Sequence, residues 1–397
     1  MQRVEIRDGI YWVGGIDWNI RDFHGYSTLK GTTYNAFLVM DEKITLFDTV
    51  KKDFKEDLIR RISDIVDPKK IDYVVVNHVE MDHSSCLPDI MEICRPKKLL
   101  CSPRGKDALL QHYHRPQWPL QVVKTGDELS LGKRTVRFIE TRMLHWPDSM
   151  FSYLVEDRLL LSSDAFGQHW ATSERFDDQV NQAELMEHAA KYYANILLLY
   201  SPLVQKLLES VREMNLKVDI IAPDHGLIWR SDPSRILEAY DSWSRQVTKA
   251  KAVVIYDTMW ESTALMARAV ADGLMQEGVS VQVMDLRQTH RSDVMTQILD
   301  ARAIVLGSST LNNGMLPKMA DMLHYMRGLR PQNKIGAAFG SFGWSGEGVR
   351  MLEHALGEMK VEVVAPAVKV QYVPDAQALA ECVEMGRKVG RRVRGIP

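Results

Sequence analysis

The chain has 397 residues and a formal net charge of −2; 45% of its residues are hydrophobic and 26% are charged. This balance is typical of a globular protein long enough for two domains. It offers neither the basic excess of a nucleic-acid-binding protein nor a run of about 20 apolar residues that would span a membrane. The four cysteines form no CxxC pair and no apolar signal segment opens the chain, so we expect a cytoplasmic protein.

Short strands alternate with turns and a few helices over roughly the first 245 residues. The candidate strands are, in chain order, IYWVGGI, TYNAFLVM, KITLFDTV, YVVVNH, KLLCS, LQVVK, TVRFIET, SYLVED and RLLLSS. Helical patterns occur at about 52–65, 105–113 and 181–214. Strand-rich segments separated by helices indicate sheets packed together with helices outside.

The pattern changes after an amphipathic run from Arg235 to Ala250, which we interpret as helical. Short apolar strands follow, each leading into a helical segment or a loop before one: KAVVIY, VQVMDL, AIVLGS, KIGAAFG and VEVVAP. This alternation predicts a parallel, doubly wound sheet. We therefore expect a domain boundary near Thr248, with one domain over residues 1–248 and a second over 249–397.

The stretch VVVNHVEMDHSSC places polar side chains directly after a strand that reads as buried. His78, Glu80, Asp82 and His83 have no packing reason to be there, because unpaired polar groups cost free energy where water is excluded. An extended segment followed by a helical turn can direct the first two towards one centre and the last two towards an adjacent one. The sequence therefore predicts a metal site at the end of this strand.

Other polar residues stand where further strands of the first part end. His145 follows TVRFIET, Asp164 ends LLLSSD, and His225 ends VDIIAPDH, while His24 lies in RDFHGYS. A lone histidine in such a place is more often a structural hydrogen-bonding residue than a ligand. It is the cluster beginning at His78 that favours metal binding.

Three loops in the second part form a candidate ligand site. The segment AVVIYDTMWESTALMARAV predicts a strand, a hydroxyl-rich loop and a helix, whose N-terminal amides can bind a phosphate monoester without a lysine. GSSTLNNGMLP and FGSFGWSGEG follow two more strands at the same carboxyl edge, where they can hold a flat ring system. Glu261 lies inside the phosphate loop, so we expect its carboxylate to point to solvent. The candidate cofactor-binding residues are Thr258, Met259, Trp260, Ser262, Thr263, Ser309, Thr310, Leu311, Asn312, Asn313, Gly314, Ser341, Phe342, Gly343, Trp344 and Gly346.

Together these motifs resemble the flavodiiron protein family over essentially the whole chain. HxExDH, a later lone histidine, the aspartate of SSDAFGQH and the histidine of APDHG follow the family's pattern, and the second part is similar to flavodoxin. The resemblance implies an α/β protein with an N-terminal metallo-β-lactamase-like αββα sandwich and a C-terminal flavodoxin-like doubly wound parallel sheet. It also implies FMN and a non-haem di-iron centre. One iron (Fe) would be bound by His78, Glu80 and His145, the other by Asp82, His83 and His225, with Asp164 bridging them.

The resemblance implies an oxidoreductase that reduces dioxygen (O2) to water, nitric oxide (NO) to nitrous oxide, or both, with FMN passing electrons to the irons. Four imidazoles and three carboxylates without a thiolate suit iron, and Glu80 makes the site harder than the HxHxDH pattern of zinc hydrolases. Neither gas has a recognition motif. His24 and one of Tyr192 and Tyr193 match positions near the irons in the family, and we take His24 and Tyr193 as the candidate catalytic residues.

The family also implies a head-to-tail homodimer or a dimer of dimers, in which the flavin of one chain faces the metal site of another and Trp344 contacts the junction. No pair of CxxC motifs follows the second domain and no GxGxxG segment follows a strand, so we expect a separate donor, rubredoxin or a similar small protein, instead of NADH.

Two alternatives remain open. One is a binuclear zinc hydrolase with an appended flavodoxin-like domain, and the other is a flavin electron carrier with a vestigial metal domain. The complete ligand set argues against the carrier. Glu80 and the three flavin loops argue against the hydrolase.

Overall fold

A computed structural model describes residues 3–396 of the chain, which divide into two compact units. The first unit contains residues up to 24, 28–193 and 202–241, and the second contains 25–27, 194–201 and the chain from 242 onward. The strands are β1 Val4–Arg7, β2 Ile10–Trp12, β3 Gly15–Asp17, β4 Asp22–Phe23, β5 Tyr26–Ser27, β6 Thr32–Tyr34, β7 Phe37–Val39, β8 Thr45–Phe47, β9 Tyr73–Val76, β10 Lys98–Cys101, β11 Leu120–Val122, β12 Glu128–Ser130, β13 Thr135–Glu140, β14 Met150–Leu154, β15 Leu159–Leu161, β16 Ile220–Ala222, β17 Lys249–Asp257, β18 Ser280–Asp285, β19 Ala301–Ser308, β20 Thr310–Leu311, β21 Gly314–Met315, β22 Ile335–Phe342, β23 Glu362–Val363 and β24 Val368–Gln371. The α-helices are α1 Lys55–Ser63, α2 Met81–Ser84, α3 Leu87–Cys94, α4 Pro103–Tyr113, α5 Gln182–Tyr192, α6 Ser201–Glu213, α7 Pro233–Ser244, α8 Ser262–Gln276, α9 Arg291–Leu299, α10 Pro317–Leu329, α11 Glu347–Glu358 and α12 Ala376–Val393. None of the helices found over residues 3–396 is long and apolar enough to cross a bilayer.

Two mixed sheets form the centre of the first unit. Their strand orders are β1-β2-β7-β8-β9-β10-β11 and β12-β13-β14-β15-β16. Phe47 and Val75 of the first sheet belong to the same buried core as Phe138 and Leu161 of the second. Two sheets that share a core in this way bury one face of each, and the apolar residues directed towards that core supply the burial. The packing of sheet on sheet predicted from the sequence is thus present.

Helices cover the other face of the first sheet. Leu58 and Ile62 of α1, Ile90 of α3 and Leu109 of α4 belong to a second buried core with the remaining apolar residues of that sheet. Leu58 and Ile62 are four residues apart, the spacing that brings side chains to one face of a helix. Helix, sheet and sheet therefore stack in layers.

A parallel sheet forms the centre of the second unit. Its order is β18-β17-β19-β22-β23, and β24 pairs with the far end of β22. Helices α8 and α12 pack together on one side of this sheet, where small residues allow close approach. A Cβ atom added to Gly273 would lie 2.0 Å from the carbonyl oxygen of Val383, and one added to Gly386 would lie 2.2 Å from that of Val270. Larger residues at either glycine would force the two helices apart.

The helix predicted over Arg235 to Ala250 is shorter than expected. It ends at Ser244, and Ala250 lies in strand β17. Gln246 has a left-handed backbone with φ of 48°, and its side-chain oxygen accepts a hydrogen bond from the amide of Gln332 at 2.5 Å. A left-handed residue just after a helix is a common terminator, because the chain can no longer continue the helical hydrogen bonds.

The helix predicted over 181–214 is interrupted. Helix α5 ends at Tyr192, a π-helical turn covers Tyr193–Leu197, and α6 begins at Ser201. Pro202 explains the second start, because proline lacks the amide that a continuous helix would need at that position.

The last predicted strand is also displaced. In VEVVAP, the only strand is the exposed pair Glu362–Val363, whereas Val368–Gln371 pairs with the end of β22. Pro366 lies between these two strands and cannot donate a ladder hydrogen bond, so it separates them.

Candidate metal centre and cofactor site

The polar cluster lies at the carboxyl end of β9. All four residues of this strand are buried, and the chain leaves it through His78 and Glu80 before entering α2. Asp82 and His83 lie in that short helix and are buried there. The change from extended chain to helix turns the two pairs of side chains towards different neighbours, as the sequence predicted.

One group of candidate ligands surrounds His78. Its Nε2 lies 3.2 Å from Oε2 of Glu80 and 3.3 Å from Oδ2 of Asp164. Nε2 of His145 lies 3.1 Å from each of the same two oxygens. These four side chains offer donor atoms that all lie within 4.8 Å of one another, a spacing that could hold one metal ion.

A second group lies next to the first. Oδ2 of Asp82 lies 3.2 Å from Nε2 of His83 and 3.1 Å from Nε2 of His225. Oδ1 of Asp164 lies 3.2 Å from Nε2 of His83 and 3.4 Å from Nε2 of His225. Asp164 thus directs one carboxylate oxygen to each group, the arrangement expected of a bridging ligand.

Several donor atoms of the cluster make no hydrogen bond within the part of the chain that the structure describes. Both carboxylate oxygens of Asp82 and of Asp164 are buried and make no hydrogen bond within residues 3–396, and neither does Nε2 of His83. Buried polar atoms are normally satisfied, so a cluster left open in this way fits cations that would bind between the donors. Nitrogen and oxygen donors without sulfur suit iron, manganese or zinc.

The carboxylates make the centre strongly attractive to positive charge. Burial alone would raise the pKa of Glu80, but the imidazoles of His145 and His78 hold that pKa at about 2. Burial would lower the pKa of His145, yet the carboxylates of Asp164 and Glu80 raise it to about 9. The pKa of Asp164 lies well below its usual value despite complete burial, because His83 and His145 stabilise the ionised form. Without metal, protons would gather on the imidazoles, and metal cations would take their place.

Two further groups orient the histidines. Asp148 accepts a hydrogen bond from the amide of Val79 at 2.7 Å, and its Oδ2 lies 3.2 Å from Nδ1 of His78. Nδ1 of His225 donates to the carbonyl oxygen of Thr33 at 2.6 Å. Because these oxygens accept the Nδ1 proton, Nε2 of each ring presents its lone pair to the centre. Neither partner was predicted from the sequence.

Asn35 holds the loop that carries His225. Its side-chain amide donates to the carbonyl oxygens of Pro223 at 2.7 Å and Gly226 at 3.0 Å. Its backbone amide donates to the carbonyl oxygen of Asp224 at 2.7 Å, and its Oδ1 accepts from the indole of Trp12 at 2.7 Å. The loop is therefore fixed on both sides of the histidine.

A buried pair of acidic residues, Asp48 and Asp224, also went unpredicted. Asp224 lies with its Oδ2 4.0 Å from Nδ1 of His83, and His83, Asp164 and Asp224 form a further group of possible metal donors. Burial, together with the neighbouring Asp48 carboxylate, raises the pKa of Asp224 well above its usual value. The only sequence signal for Asp224 was its position immediately before His225.

The two predicted catalytic residues, His24 and Tyr193, lie in different surroundings. His24 lies beside the centre with its Nε2 3.5 Å from Oε1 of Glu80, and its side chain is 77% exposed. The ring of Tyr192 contacts His225, with centroids 6.1 Å apart, whereas Tyr193 packs edge-on against Tyr240 at 4.9 Å. Of the two tyrosines, Tyr192 is thus the one whose ring lies next to His225, whereas Tyr193 is the predicted catalytic residue. The π-helical turn that begins at Tyr193 changes the direction in which successive side chains point.

A cavity of about 950 Å³ opens at the cluster. Its lining includes Phe23, His24, Glu80, His145 and Trp146. The candidate centre can thus be reached from solvent through the first unit, past the exposed imidazole of His24.

Three loops meet at the carboxyl edge of the parallel sheet in the second unit. The hydroxyl of Thr263 lies 2.9 Å from that of Ser309 and 3.0 Å from that of Ser341. Thr263 comes after β17, Ser309 follows β19 and Ser341 lies near the end of β22, and these three strands are neighbours in the sheet. The hydroxyl of Thr258 is buried and makes no hydrogen bond within residues 3–396. This unsatisfied donor lies shortly before the N-terminus of α8, where an oxygen of a bound phosphate could accept a hydrogen bond from it.

The remaining predicted cofactor residues surround this edge. Asn312 and Asn313 have φ of 48° and 59° and form the turn between β20 and β21. The indoles of Trp260 and Trp344 are 87% and 89% exposed, respectively. The structure brings the predicted loops together at the ends of β17, β19 and β22, with aromatic surface available to a flat ring. The predicted residues are Thr258, Met259, Trp260, Ser262 and Thr263 in the first loop, Ser309, Thr310, Leu311, Asn312, Asn313 and Gly314 in the second, and Ser341, Phe342, Gly343, Trp344 and Gly346 in the third.

Comparison with known proteins agrees with this architecture. The family model described as ODP family beta lactamase matches residues 32–226, and the Flavodoxin model matches residues 254–386. A nitric oxide reductase of Moorella thermoacetica is 52% identical over 99% of both chains. The solved structure of the rubredoxin oxygen:oxidoreductase of Desulfovibrio gigas superposes with a TM-score of 0.97 at 46% identity, covering 99% of each chain. That of a flavodiiron protein of Giardia intestinalis gives 0.96 at 34% identity, covering 100% of this chain and 97% of the other. The predicted fold class, metallo-β-lactamase-like followed by flavodoxin-like, is confirmed.

Proposed function

This chain belongs to the flavodiiron protein family, and we propose that the seven clustered side chains of its first unit are the ligands of the two irons. The chain is an oxidoreductase with a non-haem di-iron centre and FMN, and it reduces dioxygen to water, nitric oxide to nitrous oxide, or both. The relatives support this function over that of a zinc hydrolase, and the experiments below distinguish the two.

The carboxylate of Asp164 carries the assignment. Its two oxygens face two different histidine pairs at 3.1 to 3.4 Å. We therefore assign His78, Glu80 and His145 to one iron and Asp82, His83 and His225 to the other, with Asp164 shared between them. Three negative carboxylates reduce the charge of two cations and favour their oxidised forms, so a reduced pair would readily donate electrons.

The protein's own residues provide position, access and protons. The irons, when bound, exchange electrons with the gas, and FMN supplies those electrons. Asp148 and Thr33 hold the Nδ1 protons of two ligand histidines, so the Nε2 lone pairs stay directed at the centre. Both reactions consume one proton for each electron. His24 can carry those protons, because its imidazole is exposed at the cavity and its Nε2 lies 3.5 Å from Glu80.

The flavin would lie across the three loops of the second unit. The N-terminus of α8 and the hydroxyls of Thr258, Ser262 and Thr263 would bind its phosphate. The turn at Asn312 and the loop from Ser341 to Gly346 would contact its ring. We place the domain boundary after residue 248, which gives a di-iron domain over 1–248 and an FMN domain over 249–397.

For partners, we propose a rubredoxin or a similar small electron donor, because a relative with 46% identity bears rubredoxin in its name. We also propose a head-to-tail homodimer or a dimer of dimers, which sedimentation velocity would test against a single monomeric species. The four cysteines are free and buried, which suits the reducing cytoplasm.

Purified protein is expected to contain about two irons and one FMN per chain, because the two donor groups and the flavin loops form one site each. Metal analysis and flavin extraction after anaerobic, iron-replete expression would measure both. Zinc in place of iron under those conditions would instead support the hydrolase.

A further inference from the structure

The proposed phosphate loop contains an acidic residue, which an anion site would normally avoid. Glu261 is the residue before α8, with a left-handed φ of 64° and no side-chain hydrogen bond that caps the helix. Its Oε1 accepts a hydrogen bond from Nη1 of Arg287 at 2.7 Å. The carboxylate is exposed, as expected, and it is also held by an arginine 26 residues later in the chain.

Arg287 is itself fixed from the other side. Its Nη2 donates to Oδ2 of Asp285 at 2.7 Å, and its Nε lies 3.1 Å from both oxygens of the same carboxylate. The guanidinium therefore links the end of β18 to the loop before α8. A planar fork held by two carboxylates keeps a defined direction, which a lone surface lysine would not.

The charges around the loop do not otherwise favour a phosphate. Asp257 at the end of β17, Asp285 and Glu261 give three carboxylates. The cations are Arg287, Arg268 and Lys318, and the ammonium of Lys318 donates to the carbonyl oxygen of Arg287 at 3.2 Å. The helix N-terminus adds only about half a positive charge. Without Arg287, the free Glu261 carboxylate would share the end of α8 with a phosphate dianion.

We propose that Arg287 is a positioning residue for cofactor choice, holding Glu261 away from the end of α8 so that the loop accepts the phosphate of FMN. This inference depends on the proposed FMN site. The arginine acts through Glu261, so its effect should fall on flavins that carry a phosphate and should vanish when the carboxylate is removed.

The test is flavin binding to full-length protein stripped of its flavin. Arg287→Ala is expected to weaken FMN binding by about tenfold at low salt, with a smaller effect at high salt because the interaction is between charges near the surface. Riboflavin has no phosphate, so its dissociation constant should change less than about twofold. Thermal unfolding of the flavin-free protein should be nearly unchanged, because exposed ion pairs contribute little to stability.

A second substitution and a control separate this role from a structural one. In the Arg287→Ala background, Glu261→Gln should restore FMN binding to within about threefold of the parent protein. Arg327→Ala removes an ion pair of the same 2.7 Å length, with Glu358, and should leave both flavins unaffected. Equal weakening of FMN and riboflavin, or no rescue by Glu261→Gln, would overturn the proposal. Failure of the parent protein to bind FMN would contradict the proposed function instead.

Discussion

Replacing Asp82 or His225 with alanine is expected to abolish gas reduction while flavin reduction by a donor stays normal. Both side chains belong to the same donor group, with Oδ2 of Asp82 3.1 Å from Nε2 of His225. Either substitution leaves the other group, around His78, with all its donors. The protein should retain about one iron per chain and lose more than about a hundredfold in turnover, because the reaction needs paired metals.

The readouts are iron content, flavin content and the rate of gas consumption with a reducing system. Asp89→Ala is a suitable control, since Asp89 lies on α3 in an ion pair with Lys55, 3.1 Å away, and should change none of these. Full turnover in the Asp82→Ala protein would show that this group does not hold a catalytic metal.

Replacing Asp164 with alanine should have a larger effect on metal content. It is the only side chain of the described chain with one oxygen within 3.4 Å of His83 and His225 and the other within 3.3 Å of His78 and His145. Its removal leaves the two remaining carboxylates, Glu80 and Asp82, and the four imidazoles without a shared ligand. We expect less than about half an iron per chain, compared with about one in Asp82→Ala.

Asp164→Asn keeps the side-chain volume but replaces one donor oxygen with an amide group. Its iron content should lie between those of Asp164→Ala and the parent protein. Unfolding in denaturant, measured on metal-free samples, would show whether the alanine variant lost iron through misfolding. Two tightly bound irons in a folded Asp164→Ala protein would exclude the bridging role.

The ligand positions could be predicted because they follow strands. His78 and Glu80 follow the buried β9 of one sheet, and His145, Asp164 and His225 follow β13, β15 and β16 of the other. The groups that orient the histidines could not be predicted, because Thr33 acts through its backbone carbonyl and any residue type can supply that group. Asp148 had no signal beyond its place three residues after His145.

Two features that the sequence does not mark account for the remaining differences between the prediction and the structure. The π-helical turn at Tyr193–Leu197 decides which tyrosine faces the cluster, and no periodic pattern in the sequence marks it. The partner of Glu261 lies 26 residues away, just after β18, and the pairing follows from the place of β18 next to β17 in the sheet.

Reoxidation of the reduced protein by its gases tests the central claim most directly. The iron-loaded, FMN-containing protein would be reduced without oxygen and mixed rapidly with dissolved nitric oxide or dioxygen while flavin absorbance is followed. We predict rapid reoxidation by at least one gas, with nitrous oxide or water as the product, and reoxidation slower by more than about a hundredfold in Asp82→Ala. Equal rates in the parent and variant proteins for both gases would contradict a di-iron centre that receives electrons from the flavin.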